Sequence, residues 1–332
     1  MLETIMDRTH LEEQEGKMLS PYAVLSKNSK GREFPITPCP FRTEYQRDRD
    51  RILHCKSFRR LQYKTQVFIS PEGDHYRTRL THTLEVSQIA RSISRALRLN
   101  EDLCEAVALG HDLGHTPFGH IGERVLNSIE GISFRHNEQS LRIVEKLENG
   151  KGLNLTYEVR DGILNHRSSG NPQTLEAQVC NLSDKIAYLN HDIDDAIRAG
   201  IIREQDLPKE CVAVLGGSHG ERINTMIRDI VAESAEQPRV RMSDEVKQAT
   251  AQLREYMFEK VYMDERAKEE EHKATYILTM LYHYYLEHPT EIANDYQEPN
   301  INQAVVDYLA GMSDRFAINS FTRLFVPRPW AK

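Results

Sequence analysis

The chain has 332 residues, of which 39% are hydrophobic and 28% charged, and its formal net charge is −7. This balance is typical of a folded, water-soluble protein, and no apolar run approaches the roughly 18 residues that a membrane span needs. The acidic charge argues against nucleic-acid binding by the whole surface, and the first residues lack the order of a secretory signal, so we expect a cytoplasmic protein that does not bind membranes.

Helical periodicity recurs along the whole chain, whereas segments that alternate apolar and polar residues are scarce, so the sequence predicts an all-α fold. The first predicted helix is charged and spans residues 44–64. The next spans residues 81–98, and a third begins after Asn100, which is a good N-cap. The helix over 81–98 carries apolar residues at spacings of three and four, namely Val86, Ile89, Ile93 and Leu97.

The most regular predicted helix spans residues 175–199, and Gly200 terminates it. Further helices are predicted over 243–262 and 274–288. Proline, glycine and charge are mixed between 205 and 240, which indicates a boundary. We therefore expect an N-terminal segment over 1–40, a core over 41–204 and a helical extension over 205–332 that packs on the core.

The five cysteines are scattered and form no CxxC pair, which argues against a disulfide framework or a structural zinc site. The 14 histidines are more informative. The dipeptide His-Asp occurs twice, and chance alone explains about one occurrence in such a chain. Only His111-Asp112 opens a run, HDLGHTPFGH, in which three histidines stand among glycines and a proline. This run suits a rigid loop that gathers imidazoles around one point, although a surface loop that tolerates polar residues is the alternative.

A metal ion needs ligands from several elements, because adjacent residues cannot surround it. His82 lies in the first turn of the helix predicted over 81–98. On the helix over 175–199, each residue advances the side-chain direction by about 100°. One sector beside its apolar stripe then holds Asp184, Lys185, Tyr188 and Asp192.

Taken alone, this polar sector is more simply read as a solvated face with ordinary salt bridges. Beside His82 and His111-Asp112, we interpret Asp184 as a fourth metal ligand. Two imidazoles and two carboxylates form a mixed nitrogen and oxygen site that suits Mn, Fe, Mg, Ni or Zn. Such a divalent ion keeps room for a water molecule and a substrate oxygen.

The pattern His82, His111-Asp112, Asp184 resembles that of the HD superfamily of metal-dependent phosphohydrolases. Longer runs resemble its deoxyguanosine triphosphate triphosphohydrolase-like branch and cover most of the chain outside 205–300. These runs are FRTEYQRDRDRILHCKSFRRLQYKTQVF at 41–68, RTRLTHTLEVSQIARSI at 77–93, ALGHDLGHTPFGHIGERVLN at 108–127, FRHNEQSLRI at 134–143, LEAQVCNLSDKIAYLNHDIDDAIRAG at 175–200 and VVDYLAGMSDRFA at 305–317.

The resemblance implies an HD-domain helical bundle with additional peripheral helices. It implies hydrolysis of deoxynucleoside triphosphates, dGTP or dNTPs generally, to a deoxynucleoside and inorganic triphosphate. It also implies a homo-oligomer, with a hexamer as the expectation. The metal ligands carried over from the family are His82, His111, Asp112 and Asp184.

Further roles are implied residue by residue. His120 and Glu123 match a catalytic pair in which the carboxylate orients the imidazole. His115 matches a histidine that faces the substrate phosphates, and His136 resembles a further active-site histidine. Arg79 and Lys185 match cationic phosphate contacts. The residues that match positions near the deoxyribose are Gln66, Tyr188 and Asp192.

Two alternatives stay open. Other HD proteins cleave nucleoside monophosphates, cyclic dinucleotides or guanosine tetraphosphate, so the metal site alone does not define the substrate. A second function, binding of single-stranded DNA or of a nucleotide effector, is suggested by a basic segment in which Glu44, Asp48 and Asp50 are interleaved. Its basic residues are Arg42, Arg47, Arg49, Arg51, Lys56, Arg59, Arg60 and Lys64.

Overall fold

The computed structural model describes residues 6–66, 77–167, 169–262, 265–293, 296 and 298–328. Over these residues the fold is all-α, as predicted, and β-structure is limited to two isolated bridges. Among the described helices, none combines the length and the hydropathy that a membrane span requires. The α-helices are α1 (Arg8–Met18), α2 (Glu44–Leu53), α3 (Lys56–Arg60), α4 (Arg79–Ala96), α5 (Glu101–Gly110), α6 (His120–Ser128), α7 (His136–Arg142), α8 (Tyr157–Leu164), α9 (Leu175–Arg198), α10 (Lys209–Leu215), α11 (His219–Ser234), α12 (Asp244–Met257), α13 (Glu265–Glu287), α14 (Ile301–Ala310) and α15 (Asp314–Phe325).

The chain forms two compact units, and each unit is assembled from three separate stretches of sequence. The first unit comprises residues 1–55, 81–111 and 153–263. The second comprises residues 56–80, 112–152 and 264–332. The sequence-based division at residues 40 and 204 stays a prediction.

Helix α5 lies at the centre of the first unit, where it packs against α2, α8 and α9. It begins where predicted, because the side chain of Asn100 accepts a hydrogen bond from the Leu103 amide. Its crossing with α8 is close: a Cβ atom on Gly110 would lie 2.6 Å from Ile163 Cδ1. The missing side chain therefore lets the end of α5, and with it His111, approach α8.

Helix α9 confirms the prediction over 175–199. The Thr174 side chain caps it by accepting a hydrogen bond from the Ala177 amide at 3.2 Å. The apolar stripe is buried at Ile186, Leu189 and Ile193. Because α9 contacts α5, α8, α11 and α12 in the first unit, the orientation of its polar face is determined by packing on several sides.

The single helix predicted over 44–64 is wrong, because the structure ends α2 at Leu53 and begins α3 at Lys56. The Glu148 carboxylate accepts hydrogen bonds from the Lys56 and Ser57 amides at 2.7 and 3.2 Å. A distant side chain thus pairs with amide groups at the start of α3, which a continuous helix would have bonded internally. The helix predicted over 274–288 begins earlier, at Glu265.

In the second unit, α13 packs against α6, α14 and α15 around one apolar cluster. Phe118, which precedes α6, is 2% exposed and belongs to this cluster. The loop that ends at Phe118 is therefore anchored to the C-terminal helices of its unit by apolar burial. Members of the cluster include Phe118, Ile121, Val125, Leu278, Tyr285, Val305 and Leu309.

Candidate functional site

Three of the predicted metal ligands converge within the first unit. His82 comes from the first turn of α4, His111 follows α5, and Asp184 comes from α9. The Oδ1 atom of Asp184 lies 3.1 Å from His82 Nε2 and 3.7 Å from His111 Nε2. Both imidazoles are almost fully buried. Residues that are far apart in sequence thus present two nitrogens and one carboxylate oxygen to a common point.

The chemistry of these atoms fits a divalent cation. His111 Nδ1 lies 2.6 Å from the Ala108 carbonyl oxygen and donates a hydrogen bond to it, which leaves the lone pair on Nε2 facing Asp184. Metal bonds of about 2.0–2.2 Å place neighbouring ligand atoms about 3 Å apart, close to the separations seen. Burial raises the pKa of Asp184, but its interactions with the two imidazoles outweigh burial and hold that pKa well below its usual range.

Two further histidines lie beside these ligands and were not assigned a role from the sequence. The ring of His166 lies 5.1 Å from that of His111, and the ring of His191 lies 5.8 Å from that of His82. His191 Nε2 is 3.2 Å from a carboxylate oxygen of Glu85. Helical spacing in the sequence could have indicated that Glu85 and His191 lie on the same helix faces as the ligands, because Glu85 stands one turn after His82 and His191 stands two turns after Asp184.

The polar face of α9 continues beyond Asp184. Lys185 and Tyr188 are partly buried, and Asp192 is fully buried. Burial lowers the pKa of the Lys185 ammonium, while the neighbouring Asp184 raises it. These three side chains share the first unit with the converging ligands, and their contacts with a substrate stay a prediction.

In the second unit, Asp112 holds a buried arginine. Its carboxylate lies 2.8 Å from Arg79 Nη1 and 3.3 Å from His115 Nε2. Arg79 is 2% exposed, and its Nε and Nη2 groups have no hydrogen-bond partner among the described residues. The same holds, within that part of the chain, for Oε1 of the buried Gln66 and Nδ1 of His115. A cationic group with buried, unpaired donors is suited to receive an anionic ligand.

Three imidazoles form a cluster in the same unit as this arginine. The rings of His115 and His136 stack with centroids 4.0 Å apart, and the ring of His120 lies 5.6 Å from that of His115. His136 Nδ1 lies 2.9 Å from a carboxylate oxygen of Glu123. Glu123 therefore contacts His136, and its predicted pairing with His120, three residues earlier on α6, stays a prediction.

Burial and the charge of Arg79 lower the pKa of two of these imidazoles, His115 and His120. They hold the pKa of His115 well below its usual range. His120 keeps solvent-exposed surface but stands among many protein atoms, and desolvation followed by the Arg79 charge lowers its pKa to about 4. In the free protein near neutral pH, both rings are thus neutral, and each keeps one nitrogen lone pair.

Much of the basic segment considered above is engaged in ion pairs. Arg42 pairs with Asp50 at 2.7 Å, Arg47 with Glu44 at 3.2 Å, and Arg49 with Asp102 at 3.4 Å. Lys64, in the second unit, is 2% exposed. This pairing leaves less positive charge at the surface than the sequence suggested. Binding of single-stranded DNA or of a nucleotide effector stays a prediction.

Known proteins resemble this chain along almost its full length. An HD domain matches residues 79–189, and a phosphohydrolase-associated domain matches residues 240–323. A deoxyguanosinetriphosphate triphosphohydrolase-like protein from Caldanaerobacter subterraneus is 58% identical and covers 96% of both chains. Proteins of the same name from Clostridium perfringens and Geobacter sulfurreducens are 50% and 41% identical, covering 97% and 93% of this chain and 98% and 95% of their own.

These matches extend well beyond the HD motif, and the second domain match lies in the C-terminal part of the chain. The HD match contains His82, His111-Asp112 and Asp184. The chain therefore belongs to the deoxyguanosinetriphosphate triphosphohydrolase-like family and is an HD-type hydrolase.

Proposed function

We propose that this hydrolase cleaves deoxynucleoside triphosphates to a deoxynucleoside and inorganic triphosphate with the help of a divalent metal ion. The observation that carries the proposal is Arg79, a buried guanidinium whose Nε and Nη2 atoms have no hydrogen-bond partner in the described part of the chain. A phosphate chain supplies the anionic acceptors that such a group lacks. The names of the relatives support a triphosphate of a deoxynucleoside as the ligand.

The metal would be held by His82, His111 and Asp184, together with Asp112, which follows His111 in the chain. Mn, Fe, Mg, Ni and Zn all suit this donor set. When bound, the ion would polarise a phosphoryl oxygen and make a water molecule more acidic. The protein's own task is then to bind the substrate, orient it and move protons.

Each side chain has a role that follows from its chemistry. Arg79 and Lys185 would bind phosphate oxygens and stabilise charge that grows on them during reaction. His115 would face the same oxygens. His120 would transfer a proton, either to O5′ as the bond to the α-phosphorus breaks or from the attacking water. Glu123 would orient the neighbouring imidazoles for this transfer. Water supplies the hydroxyl on phosphorus and the proton on O5′, so the reaction balances.

Product identification tests this function. We expect the purified protein, assayed with each divalent metal and a panel of dNTPs, to release tripolyphosphate and a deoxynucleoside in equal amounts. Cleavage of the α–β or the β–γ anhydride bond would instead yield pyrophosphate or orthophosphate. Either of these as the primary product would show that the HD site serves a different substrate or bond.

We also expect a strong preference for dNTPs over NTPs, because Tyr188 and Asp192 stand one turn apart on α9 and can face one sugar. A tyrosine wall against C2′ would exclude a hydroxyl by shape, and the carboxylate would accept a hydrogen bond from the 3′-OH. Tyr188→Ala should lower the dGTP to GTP ratio of kcat/KM about tenfold or more. Tyr188→Phe keeps the wall and is the matched control. Equal turnover of GTP and dGTP by the unmodified enzyme would refute sugar selection.

A further inference from the structure

Two consecutive residues immediately before His120 adopt left-handed backbone conformations. Phe118 has φ 60° and Gly119 has φ 58°. Glycine tolerates this region, but the Cβ atom of phenylalanine disfavours it. Contacts with the surrounding residues therefore hold Phe118 in this conformation. The same contacts determine the position of His120, the first residue of α6.

The carboxylate of Asp314, the first residue of α15, makes the decisive contact. Its Oδ1 accepts a hydrogen bond from the Phe118 amide at 2.9 Å, and its Oδ2 accepts one from the Thr65 amide at 2.9 Å. The Thr65 hydroxyl also donates to Oδ2. Asp314 is 2% exposed. One buried carboxylate thus joins the loop before α6 to the segment that carries Gln66.

Lys64 binds the same loop at its other end, at His115. Its buried ammonium donates hydrogen bonds to the carbonyl oxygens of His115 and, at 2.9 Å, of Ala310. Burial lowers the pKa of Lys64 to about 7 and raises that of Asp314. Both groups therefore lose their hydration on burial, a free-energy cost that a pair of apolar side chains at the same place would not carry. This cost fits a role of the two groups in specifying one conformation of the loop.

The segment and loop joined in this way contact the candidate phosphate site. A Cβ atom on Gly119 would lie 3.2 Å from Arg79 Nη2 and 3.4 Å from the Gln66 carbonyl oxygen. The Arg79 amide in turn donates to the Lys64 carbonyl oxygen at 3.2 Å. Any movement of the loop would therefore change the distance between Arg79 and the histidines on either side of Gly119.

We propose that Asp314 and Lys64 are positioning residues, which hold the loop from His115 to His120 against Arg79 in the geometry that hydrolysis requires. Asp314 does so from α15, and Lys64 does so by joining the loop to the Ala310 carbonyl at the end of α14. The phosphohydrolase-associated region thereby completes the site rather than merely covering it. The kinetic consequence rests on the proposed function, whereas the structural consequence does not.

The kinetic test uses Asp314→Asn, which keeps the size of the side chain but turns an NH₂ group toward a backbone N–H donor. We expect kcat to fall about 10–100-fold, since small misplacements of reacting groups have effects of this size. KM should change less, and metal content should stay at the level of the unmodified enzyme. Asp307→Asn is the matched control, because Asp307 is a buried carboxylate on α14 that pairs with Arg142 and Gln139.

A second measurement is independent of activity. Hydrogen exchange of peptides covering residues 113–121 should become faster in Asp314→Asn and remain unchanged in Asp307→Asn. Thr65→Val removes one donor to Asp314 at nearly constant volume, and it should change exchange in the same direction if Asp314→Asn does not fold. In a His120→Ala background, Asp314→Asn should lower kcat by a much smaller factor than it does in the unmodified enzyme, because Asp314 acts by positioning His120.

Equal kcat losses in Asp314→Asn and Asp307→Asn would indicate general destabilisation and overturn the proposal. So would unchanged exchange over residues 113–121. If the unmodified enzyme releases no triphosphate from any dNTP, the proposed function fails, but the exchange experiment still decides whether Asp314 holds the loop.

Discussion

His111→Ala and Asp184→Ala should each abolish hydrolysis and strip the protein of its metal, while the helical circular dichroism signal survives. Asp184 stands between two imidazole nitrogens, so removing it leaves those nitrogens without the anionic ligand that draws a cation to them. Loss of a supporting residue alone typically weakens metal binding about 10–100-fold, and loss of a direct ligand should exceed this. The measurements are metal content by elemental analysis and turnover of dGTP.

The chain offers matched controls for this experiment. His10 lies exposed on α1, and Asp194 lies on α9 in an i,i+4 ion pair with Arg198. His10→Ala and Asp194→Ala should therefore keep both metal and activity. Full activity in a His111→Ala or Asp184→Ala protein that contains no metal would show that the reaction does not depend on this site.

His120→Ala should lower kcat about 10²–10⁴-fold, which is the usual contribution of general acid–base assistance. Metal content and dNTP affinity should remain nearly unchanged, because His120 is not among the proposed ligands. Glu123→Ala should act in the same direction but less, since the carboxylate supports an imidazole rather than transferring the proton. The measurement is single-turnover kinetics with metal analysis of each variant.

The double variant His120→Ala, Glu123→Ala distinguishes a coupled pair from two separate contributors. If the two residues act as a unit, the double variant loses little beyond His120→Ala. A second comparison uses the contact between Glu123 and His136 at 2.9 Å. If Glu123 acts through the His136 ring, Glu123→Ala should have no further effect on kcat in a His136→Ala background. Arg124→Ala, at an exposed neighbour on α6, is the control. Multiplicative losses in both backgrounds, or metal loss from His120→Ala, would contradict the assigned roles.

Local regularities in the sequence were sufficient for the helices that carry the first unit's site. Helices α4, α5 and α9 begin within two residues of the predicted starts, and Asn100 caps α5. The predicted apolar residues Val86, Ile89 and Ile93 of α4 are buried, whereas Leu97 lies beyond the end of that helix and is only partly buried. These features depend on neighbours within about one turn, so a pattern of three- and four-residue spacings records them. The common face of Asp184, Lys185 and Tyr188 follows from the same arithmetic.

Tertiary structure decided the features that join distant residues. The break between α2 and α3 depends on Glu148, the partner found for Glu123 is His136, and Phe118 is held by Asp314, 196 residues away. His166 and His191 became recognisable as neighbours of the ligands only through packing. Periodicity specifies which face of a helix is polar, but it carries no information about which other helix that face meets, because that choice depends on the packing of the whole unit.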